Sequence, residues 1–147
     1  MNLIENKKAR FDYETLENFE AGIELLGFEV KSVRMHHAKL DGAHVIVRGG
    51  EAFVVGMSVS PFQPLNTPTS YDPMRTRKLL LTHKELEKLA GMEKQKGLTI
   101  IPLAVYSKGR KLKVRIAVAR GRKKYDKREV LKARSAKREI ERTLKNL

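Results

Sequence analysis

The sequence predicts a mainly β protein: a small antiparallel barrel with two or three short helices, followed by a basic C-terminal tail. Three observations carry this. Short alternating stretches recur between turn signals, without the strand–helix–strand alternation that marks a parallel sheet. Gly49-Gly50 separates two of them as a tight hairpin turn, because both positions accept positive φ. The charge is also split, with 19 basic and 13 acidic side chains over residues 1–119, and 12 basic and 4 acidic over residues 120–147. The chain therefore divides into a barrel domain, 1–119, and a tail, 120–147.

Composition narrows the partners. The 147 residues, 41% hydrophobic, suffice for one domain with a real core plus an extension. No apolar run approaches the length of a membrane span, and the N-terminus lacks the layout of a secretory signal. The absence of Cys excludes a disulfide scaffold and thiolate metal sites, and it fits a cytoplasmic protein. A net charge of +14 points to a polyanion. Nucleic acid is the first expectation and an anionic membrane surface the second.

Each element has its own signal. Met1–Arg10 is polar and basic and reads as an arm. Phe11 and Tyr13 alternate with Asp12 and Glu14 as a short strand. Leu16, Phe19, Ile23 and Leu26 recur at helical spacing, with Thr15 as cap and Gly27 as stop, so a helix is predicted over Leu16–Leu26. Phe28–Val33 reads as a strand. Ala43–Arg48 and Glu51–Met57 flank the glycine pair as hairpin partners. The stretch from Pro61 to Pro73 is a turn-rich loop, long enough to suggest a function of its own.

Arg75, Arg77 and Lys78 then precede Leu79-Leu80-Leu81. Thr82-His83-Lys84-Glu85 is a capping box, predicting a helix to about Ala90 with Gly91 as its stop. Leu98–Tyr106 reads as a strand in which Pro102 demands an edge or a bulge. Leu112, Val114, Ile116 and Val118 alternate with Lys113, Arg115, Ala117 and Ala119, the clearest amphipathic strand in the chain. A small, nearly closed barrel of about six strands accommodates these elements. The oligonucleotide-binding type fits best, because such barrels offer a basic, partly aromatic face to nucleic acid.

The tail begins with Arg120–Arg128, where six of nine residues are Lys or Arg, a density no packed core accepts. Beyond it Val130, Ala133, Ala136, Ile140, Leu144 and Leu147 fall near one side of a helix. A marginal helix without a docking face frays in water, so the tail is expected to be disordered when free and helical when bound. Packing back onto the barrel is the alternative.

Catalytic and metal constellations are missing from the pattern. His36, His37, His44 and His83 show no ligand spacing, no phosphate-binding glycine loop opens a helix, and no triad is apparent. The chain is therefore expected to bind rather than catalyse, with no metal and no cofactor. Two polar residues stand out. Glu20, beside Phe19 and Ile23, either pairs with a cation or accepts hydrogen bonds from base or ribose donors. Tyr125, set among cations, suits stacking on a base.

Several segments in order resemble the bacterial SsrA-binding proteins (small protein B). They are Glu20-Ala21-Gly22-Ile23, Gly27-Phe28-Glu29-Val30-Lys31-Ser32, Gly50-Glu51-Ala52, Asp72-Pro73-Met74-Arg75-Thr76-Arg77-Lys78-Leu79-Leu80-Leu81, Gly97-Leu98-Thr99 and Gly121-Arg122-Lys123-Lys124-Tyr125-Asp126-Lys127-Arg128. The resemblance implies an oligonucleotide-binding-type barrel that binds the tRNA-like domain of transfer-messenger RNA. Elongation factor Tu is then an indirect partner through that RNA, and the destination is the stalled ribosome, for trans-translation. It also implies that the tail occupies the empty mRNA channel and decoding centre, against small-subunit ribosomal RNA.

On the same basis Glu20, Gly22, Leu80 and Thr82 belong to the RNA-binding face, with Lys31, Arg34, Arg75, Arg77 and Lys78 as phosphate contacts. Gly121, Lys123, Lys124, Tyr125, Asp126, Lys127 and Arg128 belong to the decoding-centre motif. Two places depart from the family pattern: His36, where a glycine is usual, and Ala43-His44, where a serine–aromatic pair is common. The competing readings are a structural ribosomal protein or RNA chaperone, and a small nuclease or RNA-modifying enzyme lacking a visible catalytic cluster.

Overall fold

Closure of one sheet on itself organises the molecule. The computed structural model describes residues 2–63, 65, 67–122 and 124–145. In chain order the elements are β1 (Asn2–Glu5), α1 (Lys7–Asp12), β2 (Tyr13–Ile23), α2 (Gly27–Arg34), β3 (Ala38–Lys39), β4 (His44–Arg48), β5 (Glu51–Val55) and β6 (Ser58–Val59). They continue as β7 (Arg77–Leu80), α3 (His83–Glu93), β8 (Leu98–Lys108), β9 (Lys111–Gly121) and α4 (Lys124–Lys145). Strands β8, β4, β5, β7, β2 and β9 follow one another round the sheet, and β9 pairs back onto β8, so the antiparallel ring closes. Closure removes the free edges that an open sheet exposes. β1 adds to β8, and β3 pairs with β6 as a separate ribbon.

The amphipathic strand predicted around Leu112–Val118 is the inner wall. Leu112, Val114, Ile116 and Val118 of β9 pack with Val45, Val54, Leu79 and Ile100 in the main core. Leu89 of α3 and Val33 of α2, both fully buried, plug this core. The outward residues Ala117 and Ala119 are also buried, because α1 lays Ala9 across them together with Ile101 and Leu103. Small side chains on both surfaces permit that approach. Pro102 sits at a register shift between Pro102 and Ala104, the bulge its missing N–H requires.

Five local expectations are overturned. Phe11 and Asp12, expected in a short strand with Tyr13 and Glu14, are the last residues of α1, and β2 begins only at Tyr13. Leu16–Leu26 is not a helix but most of β2, hydrogen-bonded to β9 on one side and β7 on the other. Phe19 and Ala21 are buried and Ile23 packs against the same core, a period of two. Leu16 and Leu26, which completed the helical spacing, are exposed. Phe28–Val33 is helix rather than strand: Glu29 accepts the Leu26 N–H at 2.8 Å, and Val30 and Val33 share the inward face. The arm Met1–Arg10 contributes β1 and α1. Asn6 anchors it, accepting from the Ala9 N–H at 3.2 Å while its amide donates to the carbonyls of Pro102 at 2.9 Å and Leu40 at 3.2 Å. Helix α3, capped by Thr82 and Glu85 as predicted, runs past Gly91 to Glu93. Its last carboxylate accepts from the Val47 N–H at 2.7 Å and pairs with Arg48.

A buried ion cluster ties these parts together. Glu29 is fully buried and receives Arg75, Arg77 and the Tyr71 hydroxyl, the last at 2.8 Å. Arg77, equally buried, also donates to the carbonyls of Met57 at 2.8 Å and Pro73 at 3.0 Å. Tyr71 meets the Phe28 ring edge-on at 4.7 Å. The long loop before β7 is therefore pinned to α2. Burial alone pushes the Glu29 carboxyl up, but hydrogen bonds from Arg75, the Leu26 N–H, Arg77 and Tyr71 reverse this and bring it from 4.5 to about 2.

The departure at His36 also has a structural reading. It has φ of 64°, the left-handed conformation that closes α2 and that glycine adopts freely. Its Nδ1 lies 2.6 Å from the Leu3 carbonyl and donates to it, tying the helix end to β1.

Two predictions follow from these contacts. Because the folded-state pKa of Glu29 lies below the unfolded value, its contribution of about 3 kcal/mol is present above pH 4.5 and disappears as pH falls toward 2. Glu29→Gln should remove that acid-sensitive limb from urea unfolding curves, and should cost about 3–5 kcal/mol at pH 7 by stranding Arg77. At the helix end, both His36→Gly and His36→Ala lose the bond to Leu3, but only alanine keeps the strain. His36→Ala should be the less stable of the two by about 1 kcal/mol in the same assay.

Candidate nucleic-acid interface

Alternation along β2 and β7 sorts the predicted RNA-binding residues into outer and inner sets. Glu20 and Gly22 of β2 face outward, opposite Arg115 and Lys113 of β9. Gly22 also pairs with Leu80 of β7, where a Cβ would lie 3.2 Å from the Leu80 Cβ, so the glycine lets Leu80 rest on the sheet. Leu80 is nonetheless half exposed. It borders a recess of about 350 Å³ with an apolar floor of Ile23, Leu25, Val30 and Leu112, rimmed by Arg110, Lys111 and Lys113. An exposed apolar surface within a cationic rim suits the flat face of a base or ribose beside its phosphate.

Glu20 stands on strand rather than helix, and its carboxylate is already engaged. It accepts from the Tyr106 hydroxyl and from Lys108 Nζ at 3.0 Å. Those two bonds hold the Glu20 carboxyl below its ordinary value. Burial, and then the neighbouring carboxylate, push the Tyr106 hydroxyl up to about 12. The Arg115 guanidinium lies over the Tyr106 ring, 5.1 Å from its centroid. Glu20 thus organises Tyr106 and Lys108 across the outer surface, and its remaining acceptor capacity faces solvent.

The predicted phosphate contacts separate. Lys31 is exposed on α2, 5.8 Å from the centroid of the Phe62 ring. Arg34 donates to the Arg110 carbonyl at 2.9 Å and braces the β8–β9 turn against α2. Lys78 points outward beside Glu51 at 3.1 Å, which raises its pKa. Arg75 retains partial exposure while it holds Glu29. Arg77 requires a correction: it points inward with Leu79, its guanidinium has no exposed surface, and it is spent on Glu29. It supports the face from beneath instead of contacting phosphate. Thr82 also has a structural duty, since its hydroxyl donates to Glu85 at 2.9 Å and accepts from the Glu85 N–H at 3.3 Å.

The second predicted site grows from the opposite end of β2 and β9. Gly121 pairs with Tyr13, and the Arg122 N–H donates to the Asp12 carbonyl at 2.8 Å. Lys127 lies 3.2 Å from the Asp12 carboxylate and 5.8 Å from the Phe11 ring centroid, which seats the first turn of α4 on α1. Arg128 is exposed. Lys123 lies outside the described residues, and for Lys124, Tyr125 and Asp126 the backbone alone is described. From Arg128 onward α4 is almost wholly exposed, so Leu131, Ile140 and Leu144 stay open to solvent.

Sequence reasoning missed Tyr106, Lys108 and the Arg110–Lys113 rim, because only the β2–β9–β8 register brings them to Glu20 and Gly22. It also missed the seat at Phe11 and Asp12, for which an acid beside an aromatic is no signal. Among the described residues no group of His, Asp and Glu is placed to hold a metal, and no helix is long and apolar enough to cross a membrane.

A closed antiparallel barrel with a cation-rimmed outer face and a basic helical extension defines a small protein of the oligonucleotide-binding type. The family model of the SmpB protein matches residues 3–146. The chain belongs to that family. An SsrA-binding protein of Gloeobacter violaceus is 47% identical over 143 residues, covering 97% of this chain and 93% of the relative. One from Clostridium acetobutylicum is 46% identical over 144 residues, covering 98% and 92%. A solved structure described as "tmRNA-SmpB: a journey to the center of the bacterial ribosome" aligns with a TM-score of 0.69 at 42% identity, over 82% of this chain and 84% of that one.

The close approach at Gly22 gives a direct test of the site's packing. Gly22→Ala should displace Leu80 and cost about 1 kcal/mol by overpacking. Leu80→Ala in the same background removes the Cγ and Cδ1 contacts at 3.7 and 3.4 Å but keeps the Cβ, so it should recover only part of that loss, a coupling that a double-mutant cycle of unfolding free energies measures.

Proposed function

We infer that this chain is the RNA-binding adaptor of trans-translation. It binds the tRNA-like domain of transfer-messenger RNA through its barrel and brings that RNA to stalled ribosomes. One observation carries the reading: the outer face built from Glu20, Gly22 and Leu80, with its cationic rim, belongs to a chain whose relatives are SsrA-binding proteins along nearly their full length. Elongation factor Tu enters only through the RNA. The protein acts in the cytoplasm, by binding alone, and no bond is made or broken at its surface.

In this reading the exposed cations contribute affinity and the relief of the face contributes selectivity. Lys31, Arg110 and Lys111, with the half-buried Lys113 and Lys78, neutralise phosphates, a term that weakens with salt and ignores sequence. Leu80 and Glu20 offer what phosphates do not read, an apolar contact and hydrogen-bond acceptors for ribose or base donors. Arg120–Arg128 and α4 then follow the empty mRNA channel of the small subunit, with Tyr125 and Asp126 meeting the decoding centre. A basic helix exposed along most of its length beyond its first turn suits a channel walled by RNA. The tail is held to be disordered in the free protein and helical on the ribosome, so the channel supplies the contacts that a lone helix lacks.

Binding of the isolated tRNA-like domain, compared with an ordinary tRNA of equal length at matched salt, tests the adaptor reading. A clear preference for the tRNA-like domain is expected, and equal affinity would point to a general RNA chaperone instead. Truncation after Arg122, which leaves β9 intact, should preserve barrel stability and RNA binding while abolishing ribosome rescue in a reconstituted translation assay. Loss of the RNA complex on truncation would count against a separate role for the tail.

A further inference from the structure

Three arginines from distant parts of the chain converge on the outer surface of the β2–β9–β8 sheet. Arg10 lies in the last turn of α1, Arg115 lies mid-strand in β9, and Arg122 occupies the junction before α4. They line one recess of about 260 Å³ together with Thr15 and Asn18 of β2, over buried Leu103. No acidic side chain lines it. Among the described residues none of the three has a carboxylate within ion-pairing distance. Glu20, opposite Arg115 in the register, is taken by Tyr106 and Lys108, and Asp12 is taken by Lys127.

A solvated charged surface does not account for this arrangement. Like charges around one concave spot repel, and a concave wall of low dielectric focuses their potential. Two of the forks are also held in place. Arg122 donates through Nε to the Tyr13 carbonyl at 3.2 Å, and Arg115 stacks on Tyr106. Guanidinium forks match the oxygens of a phosphodiester, and the Thr15 hydroxyl and Asn18 amide add neutral donors.

We propose that this recess binds an RNA phosphodiester and links the Glu20–Gly22–Leu80 face to the root of α4. Arg115 lies across from Glu20, and Arg122 lies between the end of β9 and the start of α4, so one backbone path touches both. The inference deepens the RNA-binding reading and rests on it. The phosphodiester belongs either to the tRNA-like domain or to ribosomal RNA, and the two arms of the experiment separate these sources.

The test uses the full chain with the isolated tRNA-like domain in one arm and vacant small ribosomal subunits in the other, each titrated across a salt series. The variant Arg10→Gln/Arg115→Gln/Arg122→Gln is compared with Lys84→Gln/Lys94→Gln/Lys96→Gln, which removes the same charge on and beside α3. The arginine variant should lose about tenfold in affinity for at least one RNA, with its slope against log salt lowered by about one. The lysine variant should lose less than about threefold. The RNA that responds identifies the source. A double variant, Arg10→Gln/Arg115→Gln, keeps the Arg122 contacts that brace the junction and should retain most of the loss, which separates binding from folding. Equal behaviour of the arginine and lysine variants in both arms overturns the proposal while leaving the adaptor reading intact. Failure of the unaltered chain to bind either RNA overturns both.

Discussion

The carboxylate of Glu29, buried against Arg75 and Arg77, is the contact on which most of the working surface depends. Through it α2, the long loop carrying Tyr71 and strand β7 become one unit. β7 closes the barrel between β5 and β2 and carries Leu80 and Lys78 outward, so its position sets the shape of the proposed RNA face. The cluster spends two cations of a strongly basic chain on structure. Removing the carboxylate would leave a buried guanidinium unpaired, which costs more than the pair itself contributes.

The same economy of charge appears around Glu20. Its carboxylate holds Tyr106 and Lys108 on the outer sheet, and the ring of Tyr106 in turn carries Arg115. Glu51 holds Lys78 in the same way, and the surplus positive charge is directed at solvent. The neutral Gly22–Leu80 contact sits within that field and supplies a relief that electrostatics alone lacks.

Barrel and tail meet at a small seat. Arg122 and Lys127 take the carbonyl and carboxylate of Asp12, beside Phe11, and beyond that turn α4 has no packed face. A helix so attached relies on whatever surrounds it, which is consistent with a partner that encloses it. The three-arginine recess lies on the route from the barrel face to this seat.

Much of this was legible in the residues. The mainly β class followed from alternation and turn chemistry, and the Thr82–Glu85 cap and the Pro102 bulge from the chemistry of single residues. These are local properties, and a sequence alone determines them. What failed did so because two periods competed over short runs. Leu16, Phe19, Ile23 and Leu26 match a helix, whereas Phe19, Ala21 and Ile23 match a strand, and only the pairing of β2 with both β7 and β9 decided between them. Phe28–Val33 went the other way once Glu29 had Leu26, Arg75 and Arg77 to bind. The inward turn of Arg77 and the meeting of Glu20 with Tyr106 and Lys108, or of Arg10 with Arg115 and Arg122, join residues far apart in the chain. Local propensity carries no record of such contacts, because their energy exists only after the barrel has closed.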